Sequence, residues 1–556
     1  MNNLLQELIA PANAKEIPPP AGESANDIQA RLWAISQKPK LTLTERWRES
    51  AVAVVGWLHE RGQFYFHAER RDFAGVMYFD AKRKLLLPVQ GDAFLAWLAD
   101  AMATNRTERL FAFVQSAVET EGLSDRSKGI IPAAFWAATA TAFYLSAGSG
   151  CMVRITAAGF EMADNGTDGV LFPYGATLAP WRLTTPADPF ETCTLFRDIA
   201  TVAPHGRDLL ILWICSLPSD QRTKPPLVLS GTVGSGKTRL ARGIFELYGL
   251  PSRIAAVLKN GDGDFWAAMD GGGLACFDNA DTRVDWLADA LAAAATAGTL
   301  EKRRLYTDAD RVSLKARSWL CVTSASPSFA ADAGLADRLL VVRLNRRKGA
   351  TAETTLSDEI LAHRNSGLSW IAQTLSRALA NQEAVPDGLN ARHPDFARLA
   401  VRIGRAIGRE AQAVAALQAA ESDKGLFNLE NDPIGAALLE LLQAGLFDGT
   451  AAELLKALVE IDPSFEGKIS AKRLAKRLSK LWPHLETVCK ARSEKAHGGY
   501  LKFSFERPAG DFGDFQTVFS VKSLRETNSN TLPEKPSQSH QSHQNEADLI
   551  SQGGIS

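Results

Sequence analysis

Residues 231–238 carry the residue types of a phosphate-binding loop. They match the pattern G-x-x-x-x-G-K-[ST] at every required position, follow the apolar run 227–230, and precede a predicted helix over 239–247. Glycines let backbone N–H groups turn towards phosphates, with the positive end of the helix dipole beneath them. We therefore expect ATP to bind here, with Lys237 reaching the β- and γ-phosphates and Thr238 binding Mg²⁺. The residues expected to contact the nucleotide are Gly231, Thr232, Val233, Gly234, Ser235, Gly236, Lys237, Thr238 and Arg239.

An aspartate at the end of a second apolar run completes the expected metal site. The run 274–277 ends in Asp278, which we expect to hold Mg²⁺ from a strand end, as in the Walker B motif. The alternative is that Asp278 only caps a helix that starts near residue 282. Asn279 stands where a water-activating glutamate is usual. Either Asp281 takes that catalytic role, or Asn279 only positions water.

Two further features follow along the chain. A third apolar strand, predicted over 318–322, leads into Thr323 and Ser324, which are either sensors of the γ-phosphate or hydroxyls of a turn. Arg338 precedes another apolar strand, where an arginine can complete the nucleotide site of a neighbouring subunit. The alternative for Arg338 is a surface salt bridge with Asp337 or Asp332.

The segment 302–317 is predicted to be a basic β-hairpin that turns at 308–310. Inside a ring, such a hairpin points into the central channel, where its flanks contact nucleic-acid phosphates. The alternative is a solvated charged hairpin. The residues expected to contact DNA here are Lys302, Arg303, Arg304, Tyr306, Arg311 and Lys315.

A second basic patch lies between residues 468 and 502, where ten basic residues face only two acidic ones. Its helix places Leu474, Leu478 and Leu481 on the inner side, and a hairpin turned at 498–499 follows. A helix followed by such a hairpin is a winged-helix pattern, which would lie along duplex DNA. A merely solvated face is the alternative. The helical residues expected to contact DNA are Lys472, Arg473, Lys476, Arg477 and Lys480.

Composition places the chain among ordinary globular proteins. Its 556 residues are 46% hydrophobic and 22% charged, which excludes collagen-like, wholly disordered and disulfide-framework classes. The net charge of −1 means that any nucleic acid must meet a local basic patch. The six cysteines are scattered without zinc spacing, as expected of free thiols in a reducing cytoplasm. No signal peptide is predicted, and the uncharged stretch 130–153 is interpreted as a buried helix turning into a strand rather than a membrane span.

The pattern of elements predicts an α/β protein of several domains. Strands are predicted at 63–67, 75–80 and 84–89, helices at 94–102 and 110–118, and alternating strands and helices of a mainly parallel sheet from 227 to 344. The expected divisions are a flexible arm (1–44), a small α+β domain (45–185), an ATPase core (186–350), a helical domain (351–460), a basic winged-helix-like domain (461–519) and a disordered tail (520–556).

These residues together resemble the superfamily 3 helicases of the AAA+ class, and above all the poxvirus-type primase–helicase ATPases of phages, plasmids and integrative elements. The resemblance is carried by the loop ending in Lys237 and Thr238, the box 278–281, the run 302–308 and the segment around Arg338. It implies an AAA+ P-loop core, a hexameric ring of identical subunits, ATP hydrolysis with Mg²⁺, and translocation of single-stranded DNA. The sensor asparagine of the family is absent, and no primase motif is present, so priming would need a separate protein.

Three functions remain open from the sequence. The first is an ATP-driven DNA helicase or translocase of a mobile element, located in the cytoplasm. The second is an ATP-switched DNA-binding or loading module with little unwinding of its own, favoured by Asn279 and the altered sensor. The third is an NTPase with no DNA role. DNA-stimulated hydrolysis separates the third from the others, and strand displacement separates the first from the second.

Overall fold

A computed structural model of the chain describes residues 24–175, 178–252, 254–256, 261–280, 284–303, 311–347, 351–381, 383–386, 389, 391–495 and 501–506. They form a mixed α/β protein in which one parallel sheet is flanked by helices. None of the helices in these ranges is both long and apolar enough to cross a membrane. The predicted tail, together with Asp281, Arg304 and Tyr306, lies outside the described residues.

The N-terminal region packs helices against a small sheet. Its elements are α1 (Ser24–Ser36), α2 (Leu43–Arg61), β1 (Gly62–His67), β2 (Val76–Asp80), β3 (Leu85–Pro88), α3 (Asp92–Met102), α4 (Arg109–Gly122) and β4 (Lys128–Ile130). The strands lie in the order β3-β2-β1-β4. The strands and helices predicted between 63 and 118 are confirmed.

The flexible arm expected at 1–44 is wrong for its second half. Helix α1 buries Ile28 in the same core as Val54 and Phe94, and Arg31 of α1 pairs with Glu60 of α2 at 3.0 Å. The physical reason is an apolar face at helical spacing, because Ile28, Leu32 and Ile35 lie four and three residues apart. Residues 24–44 therefore belong to the packed N-terminal region.

A second small sheet follows, and it corrects the helix expected within 130–153. Its antiparallel strands are β5 (Trp136–Ala138), β6 (Ala142–Gly148), β7 (Cys151–Thr156) and β8 (Gly159–Asp164), with the expected turn between β6 and β7. Strand β6 packs Phe143 and Leu145 into one core and Ala142 and Tyr144 into another. Because both faces are apolar, the sequence lacks the alternation that distinguishes a strand from a buried helix.

The central sheet begins after the short helices α5 (Pro189–Thr192) and α6 (Thr194–Arg197) and the apolar helix α7 (Gly206–Ser216). Strands and helices then alternate as β9 (Leu227–Gly231), α8 (Lys237–Tyr248), β10 (Ile254–Ala256), α9 (Gly263–Asp270), β11 (Leu274–Asp278) and α10 (Asp285–Ala295). After an inserted hairpin come β14 (Trp319–Ser324), α11 (Ala333–Ala336) and β15 (Leu340–Leu344). Within the described residues the strand order is β10-β11-β14-β9-β15, and every pairing is parallel, which confirms the predicted sheet.

This topology gives the sheet two functional ends. Strand β9 lies between β14 and β15, so that Gly231 is level with Leu344 and Ser230 with Ser324. We call this the carboxyl end of the sheet, where open α/β sheets bind their ligands. At the opposite end, the amino end, Leu340 is level with Leu227.

The predicted hairpin is confirmed as β12 (Thr299–Arg303) and β13 (Arg311–Lys315), which pair in antiparallel fashion between α10 and β14. Its tip lies outside the described residues. The base is anchored to the N-terminal region, because Glu69 pairs with Lys315 Nζ at 2.6 Å and also with Arg317. Asp270 Oδ1 adds a hydrogen bond from the Lys315 backbone at 3.0 Å.

The C-terminal region consists of helices that lead into a small sheet. Its elements are α12 (Glu353–Ala380), α13 (Pro394–Ala406), α14 (Glu410–Asn431), α15 (Pro433–Ala444), β16 (Phe447–Thr450), α16 (Ala451–Ile461), α17 (Ala471–Val488), β17 (Lys490–Lys495) and β18 (Leu501–Glu506). Its strands are ordered β16-β18-β17, which confirms the predicted helix and hairpin. One hydrophobic core runs from Leu429 to Phe505, so the boundary expected at residue 461 falls inside a packed unit.

Candidate nucleotide site and its surroundings

The glycine loop between β9 and α8 has a backbone that only glycine adopts without strain. Gly234 and Gly236 have φ angles of 80° and 85°, in the left-handed region. Gly231 is required for space, since a Cβ there would lie 2.3 Å from the carbonyl oxygen of Leu344. Gly236 is also the N-cap of α8, which begins at Lys237, so the positive end of the α8 dipole faces the loop.

The loop fits a phosphate group by two independent observations. A Cβ on Gly236 would meet no protein atom within 4 Å, so the space beside the loop is open. The buried Ser235 hydroxyl has no hydrogen-bond partner in the described part of the chain, which is unusual for a buried polar group. An anion with several acceptor oxygens would satisfy both the loop amides and this hydroxyl.

Lys237 lies over the start of the loop. Its Nζ donates hydrogen bonds to the carbonyl oxygens of Gly231 at 2.7 Å and Thr232 at 3.0 Å. The ammonium group is therefore held at the carboxyl end of the sheet, where the motif predicts the phosphates.

Two hydroxyl groups meet at the Asp278 carboxylate, one from helix α8 and one from strand β14. Its Oδ1 accepts hydrogen bonds from the hydroxyls of Thr238 at 2.7 Å and Thr323 at 2.5 Å. The structure thus brings together Thr238 and Asp278, the two residues expected to bind Mg²⁺. One carboxylate and one hydroxyl suit a magnesium ion that takes its other ligands from phosphates and water. Elsewhere in the described ranges no cluster of three or more His, Cys, Asp or Glu side chains could hold a metal ion.

The expected sensor role of Thr323 conflicts with this geometry. Its hydroxyl donates its one proton to Asp278 and accepts a hydrogen bond from the Asn279 backbone N–H at 3.0 Å. Thr323 is 1% exposed, and Ser324 is also buried, because β14 runs on to residue 324 instead of ending at 322. The geometry gives Thr323 the role of orienting Asp278.

The candidates for the water-activating base remain predictions. Asn279 is exposed, with a left-handed φ of 54°, so it projects from the strand end beside Asp278. Asp281 lies outside the described residues.

Arg239 does not follow the expectation that it contacts nucleotide. Its guanidinium donates to Glu246 Oε2 at 2.9 Å and to Ser357 Oγ at 3.0 Å, and so links α8 to α12. It is the third residue of α8, and its long side chain extends along the helix instead of towards the loop.

Arg338 lies at the amino end of the sheet, far from the glycine loop of its own chain. Leu340 donates to the carbonyl oxygen of Pro226, four residues before Ser230, which is roughly 13 Å at the usual rise of a strand. The alternative salt bridges of Arg338 with Asp337 or Asp332 are wrong. Asp337 pairs instead with Arg392 at 3.2 Å, and the Asp332 carboxylate accepts a hydrogen bond from the Leu335 backbone N–H at 2.8 Å. Arg338 itself donates to the backbone carbonyl of Gly334.

Within the described residues, the expected DNA contacts divide into three groups. Lys472, Arg473, Lys476 and Lys480 are exposed on α17, as the DNA-binding interpretation requires. Arg477 and Lys315 are instead committed within the protein, to Asp432 and to Glu69 respectively. Both therefore form ion pairs within the protein, and their contact with DNA stays a prediction. For Lys302, Arg303 and Arg311 the structure describes the strands but not the side chains.

One basic residue near the loop was missed by the sequence reasoning. Arg346 follows β15, and its Nε would lie 3.8 Å from a Cβ placed on Gly234. In the described part of the chain it forms no ion pair or hydrogen bond. The signal in the sequence was the pair of arginines that starts two residues after the last apolar strand, because parallel strands end together.

Fold and site define a mixed α/β protein with a glycine loop, a lysine and a threonine–aspartate pair at the carboxyl end of a parallel sheet. Residues 194–425 match the family model of the actinomycete integrative conjugative element replication protein. The matched stretch holds the features of both sheet ends, including Lys237, Asp278 and Arg338. No curated protein sequence matches the chain.

Two solved structures are similar over much of the chain. The A-form apo structure of the NrS-1 C-terminal region covers 81% of this chain and 98% of its own, with 11% identity and a TM-score of 0.38. The SCCmec type IV Cch active helicase covers 80% and 91%, with 10% identity and a TM-score of 0.40. These scores are too low to support any conclusion about a shared mechanism.

Proposed function

We propose that the chain is an ATP-driven DNA helicase or translocase in the replication of a mobile element, working as a ring of identical subunits, a hexamer, with an AAA+ P-loop core. The observation that carries the proposal is the hydrogen bond between Thr238 and Asp278 beside a glycine loop that also holds Lys237. The match of residues 194–425 to a replication-protein family supports the biological setting.

Each residue at the carboxyl end of the sheet has a distinct task. ATP with Mg²⁺ would supply the transferable phosphate and the cation that neutralises its charge. The loop amides bind the phosphates, and Lys237 exchanges its two loop carbonyls for phosphate oxygens. Thr238 and Asp278 hold the metal, and Thr323 keeps the Asp278 carboxylate oriented. Water is activated or positioned by Asp281 or Asn279.

The position of Arg338 supports the proposal of a ring. Since it lies at the opposite end of the sheet from its own loop, it can assist hydrolysis only at the site of a neighbouring subunit. An arginine supplied in this way stabilises the charge of the transition state and is worth roughly 10³ to 10⁵ in kcat.

DNA contacts are assigned to two places. The flanks of the β12–β13 hairpin face single-stranded DNA in the channel, and the exposed Lys472, Arg473, Lys476 and Lys480 of α17 follow duplex phosphates. Priming is left to a separate protein.

A second candidate is an ATP-switched loading module with little unwinding activity. Two features favour it. Asn279 stands in place of a catalytic glutamate, and the Thr323 hydroxyl donates its hydrogen bond to Asp278. Both features fit slow hydrolysis, which suits a switch better than a motor.

The test is the ATPase rate with and without single-stranded DNA for wild type, Lys237→Ala and Arg338→Ala. Arg398→Ala is the matched control, because Arg398 is an exposed arginine that pairs only weakly with Asp395. We expect DNA to raise the wild-type rate, and both site variants to lose it while Arg338→Ala still binds ATP. If hydrolysis is slow, is not stimulated by DNA and is unchanged by Arg338→Ala, the proposal of an ATP-driven motor is wrong. Strand displacement on a forked duplex then separates helicase from loader.

A further inference from the structure

The segment 328–338, which carries Arg338, has little structure of its own. It consists of a 3-10 turn (Ser328–Ala331) and the four-residue helix α11, capped by Asp332. So short a helix leaves its terminal carbonyl groups without intrahelical partners. A segment of this kind keeps one conformation only if other parts of the protein bind its backbone.

Three buried side chains of the C-terminal region bind that backbone. Asn428 Nδ2 donates to the carbonyl oxygen of Ala330 at 2.8 Å, and Lys424 Nζ donates to that of Asp337 at 2.6 Å. His393 Nε2 donates to the carbonyl oxygen of Arg338 itself at 3.1 Å. We call His393, Lys424 and Asn428 the clamp.

The clamp is built where polar groups are otherwise rare. Asn428 is 0% exposed, and Lys424 and His393 are each 7% exposed. Burial lowers the pKa of His393 to about 4, so at neutral pH it is an uncharged donor. The Lys424 ammonium is balanced by Glu421 at 2.7 Å. Polar groups buried in this way are costly unless each keeps its partner, and here the partners are the carbonyls of one segment.

A separate pair of residues, Asp432 and Arg477, connects this segment to the basic helix. Asp432, at the start of α15, forms an ion pair with the guanidinium of Arg477 from α17. Arg477 also donates a hydrogen bond to the carbonyl oxygen of Ala331 at 3.4 Å. The segment 328–338 is therefore bound near both ends by residues of the C-terminal region, which lies outside the central sheet. The sheet contributes apolar packing, since Phe329 and Leu335 lie in one core with Val228, and the Leu340 hydrogen bond to Pro226 beyond the segment.

We propose that His393, Lys424 and Asn428 are positioning residues for Arg338, holding it in the place from which it acts on the nucleotide of the neighbouring subunit. This inference rests on the proposed function, since it needs Arg338 to work between subunits. A displacement of about 1 Å in a catalytic group can cost on the order of a hundredfold in rate. Loss of the clamp lowers kcat at the neighbour's site and leaves nucleotide binding at the chain's own loop unchanged.

Three variants remove one clamp contact each: Lys424→Met, Asn428→Leu and His393→Leu. Two controls are matched to them. Asn431→Leu removes an asparagine of α14, the helix of Asn428, whose amide donates within the described residues to the Phe427 carbonyl of its own helix. His393→Gln keeps an N–H donor where the imidazole Nε2 lies. We expect each clamp variant to lower DNA-stimulated kcat by about tenfold or more with the ATP KM within about twofold, and both controls to stay near wild type.

Mixed rings separate positioning from a general loss of structure. Each clamp variant is co-expressed with Lys237→Ala under a second tag, and the mixed oligomers are isolated through both tags. A Lys237→Ala subunit still presents an intact Arg338 segment, so it should restore hydrolysis at the loop of its clamp-variant neighbour. Arg338→Ala mixed with Lys237→Ala is the reference for this complementation.

The outcomes distinguish the two levels of the argument. If Arg338→Ala complements and the clamp variants do not, the clamp only stabilises the fold, and this inference fails while the proposed function stands. If Arg338→Ala itself does not complement Lys237→Ala, the action of Arg338 between subunits fails first. Should Lys424→Met or Asn428→Leu fail to fold, the His393→Leu and His393→Gln pair decides, since equal kcat values for these two would also overturn the clamp.

Discussion

The two ends of the central sheet are organised in opposite ways. At the carboxyl end, Asp278 is held by the hydroxyls of Thr238 and Thr323, which belong to helix α8 and strand β14 of the sheet and its flanking helices. At the amino end, the segment of Arg338 is held by His393, Lys424 and Asn428, which come from helices much later in the chain. One end is thus self-contained, and the other depends on a different part of the protein.

This difference suggests a division of labour. Nucleotide and metal binding need fixed geometry in every subunit, and a parallel sheet supplies it because its strand ends meet. Action on a neighbour needs a group that can respond to the rest of the protein. The Arg338 segment contacts helices that also pack against the basic helix α17. Under the proposed function, DNA bound at α17 and hydrolysis in the neighbouring subunit would therefore share one set of contacts.

The largest effect should come from the self-contained end. Asp278→Asn keeps the shape of the side chain but removes the charge that holds Mg²⁺, so we expect ATP turnover to fall at least about a hundredfold. The Mg²⁺ concentration needed for half-maximal rate should rise. Steady-state ATPase assays over a Mg²⁺ series measure both, and Asp289→Asn on the exposed side of α10 is the control. Turnover within a few-fold of wild type would show that Asp278 is only structural.

The same contrast explains what the sequence could predict. Lys237, Thr238 and Asp278 lie in short motifs beside apolar strands, so their meeting at one sheet end follows from the parallel topology. The clamp has no motif, because its contacts join residues 55 to 98 positions apart that are brought together only by helix packing. The ion pairs of Arg477 and Lys315 could not be predicted for a related reason, since a run of charges does not reveal which member meets Asp432 or Glu69.

At the amino end of the sheet, the buried His393 should make the free energy of unfolding depend on pH. The folded pKa of His393 is lowered from 6.5 to about 4, so between these values the unfolded chain takes up a proton that the folded chain does not. Stability therefore falls as the pH drops through this window. His393→Gln cannot titrate, so wild type should lose about 2 kcal/mol more than this variant between pH 7 and pH 5.

Urea unfolding of the full-length chain at both pH values measures this difference. His484 is a useful comparison, because it is less buried and burial lowers its pKa as well. His484→Gln should therefore flatten the pH dependence less than His393→Gln does. Equal pH dependence in wild type and His393→Gln would mean that His393 is not held neutral beside Arg338.

A smaller effect is expected from the hydroxyl that orients Asp278. Thr323→Val should lower kcat by about tenfold and raise the Mg²⁺ midpoint several-fold, because Asp278 loses one of its two hydroxyl donors. Thr323→Ser should restore both values. A fall in kcat with an unchanged Mg²⁺ midpoint would favour the γ-phosphate sensor role over the orienting role.

The smallest effect is expected from a residue beyond the strands, and it tests whether the carboxyl end of the sheet binds phosphate without help from that residue. Arg346 lies beside Gly234, and an exposed arginine next to a phosphate is worth less than about 1 kcal/mol. We therefore expect Arg346→Ala to raise the ATP KM about threefold at low ionic strength with kcat nearly unchanged, and the difference to shrink in about 1 M salt, where screening acts within about 3 Å.

Arg347→Ala is the matched control for this last change. Arg347 is the next residue, and its guanidinium donates to the Thr194 carbonyl at 3.5 Å, away from the loop. An ATP KM that is equal in the two variants would mean that Arg346 adds nothing to phosphate binding, so the carboxyl end is complete within the sheet layer. A large fall in kcat for Arg346→Ala would instead mean that a second catalytic arginine lies in the same subunit as the loop. Catalytic charge would then come from both ends of the sheet, and the contrast between a self-contained and a dependent end would be wrong.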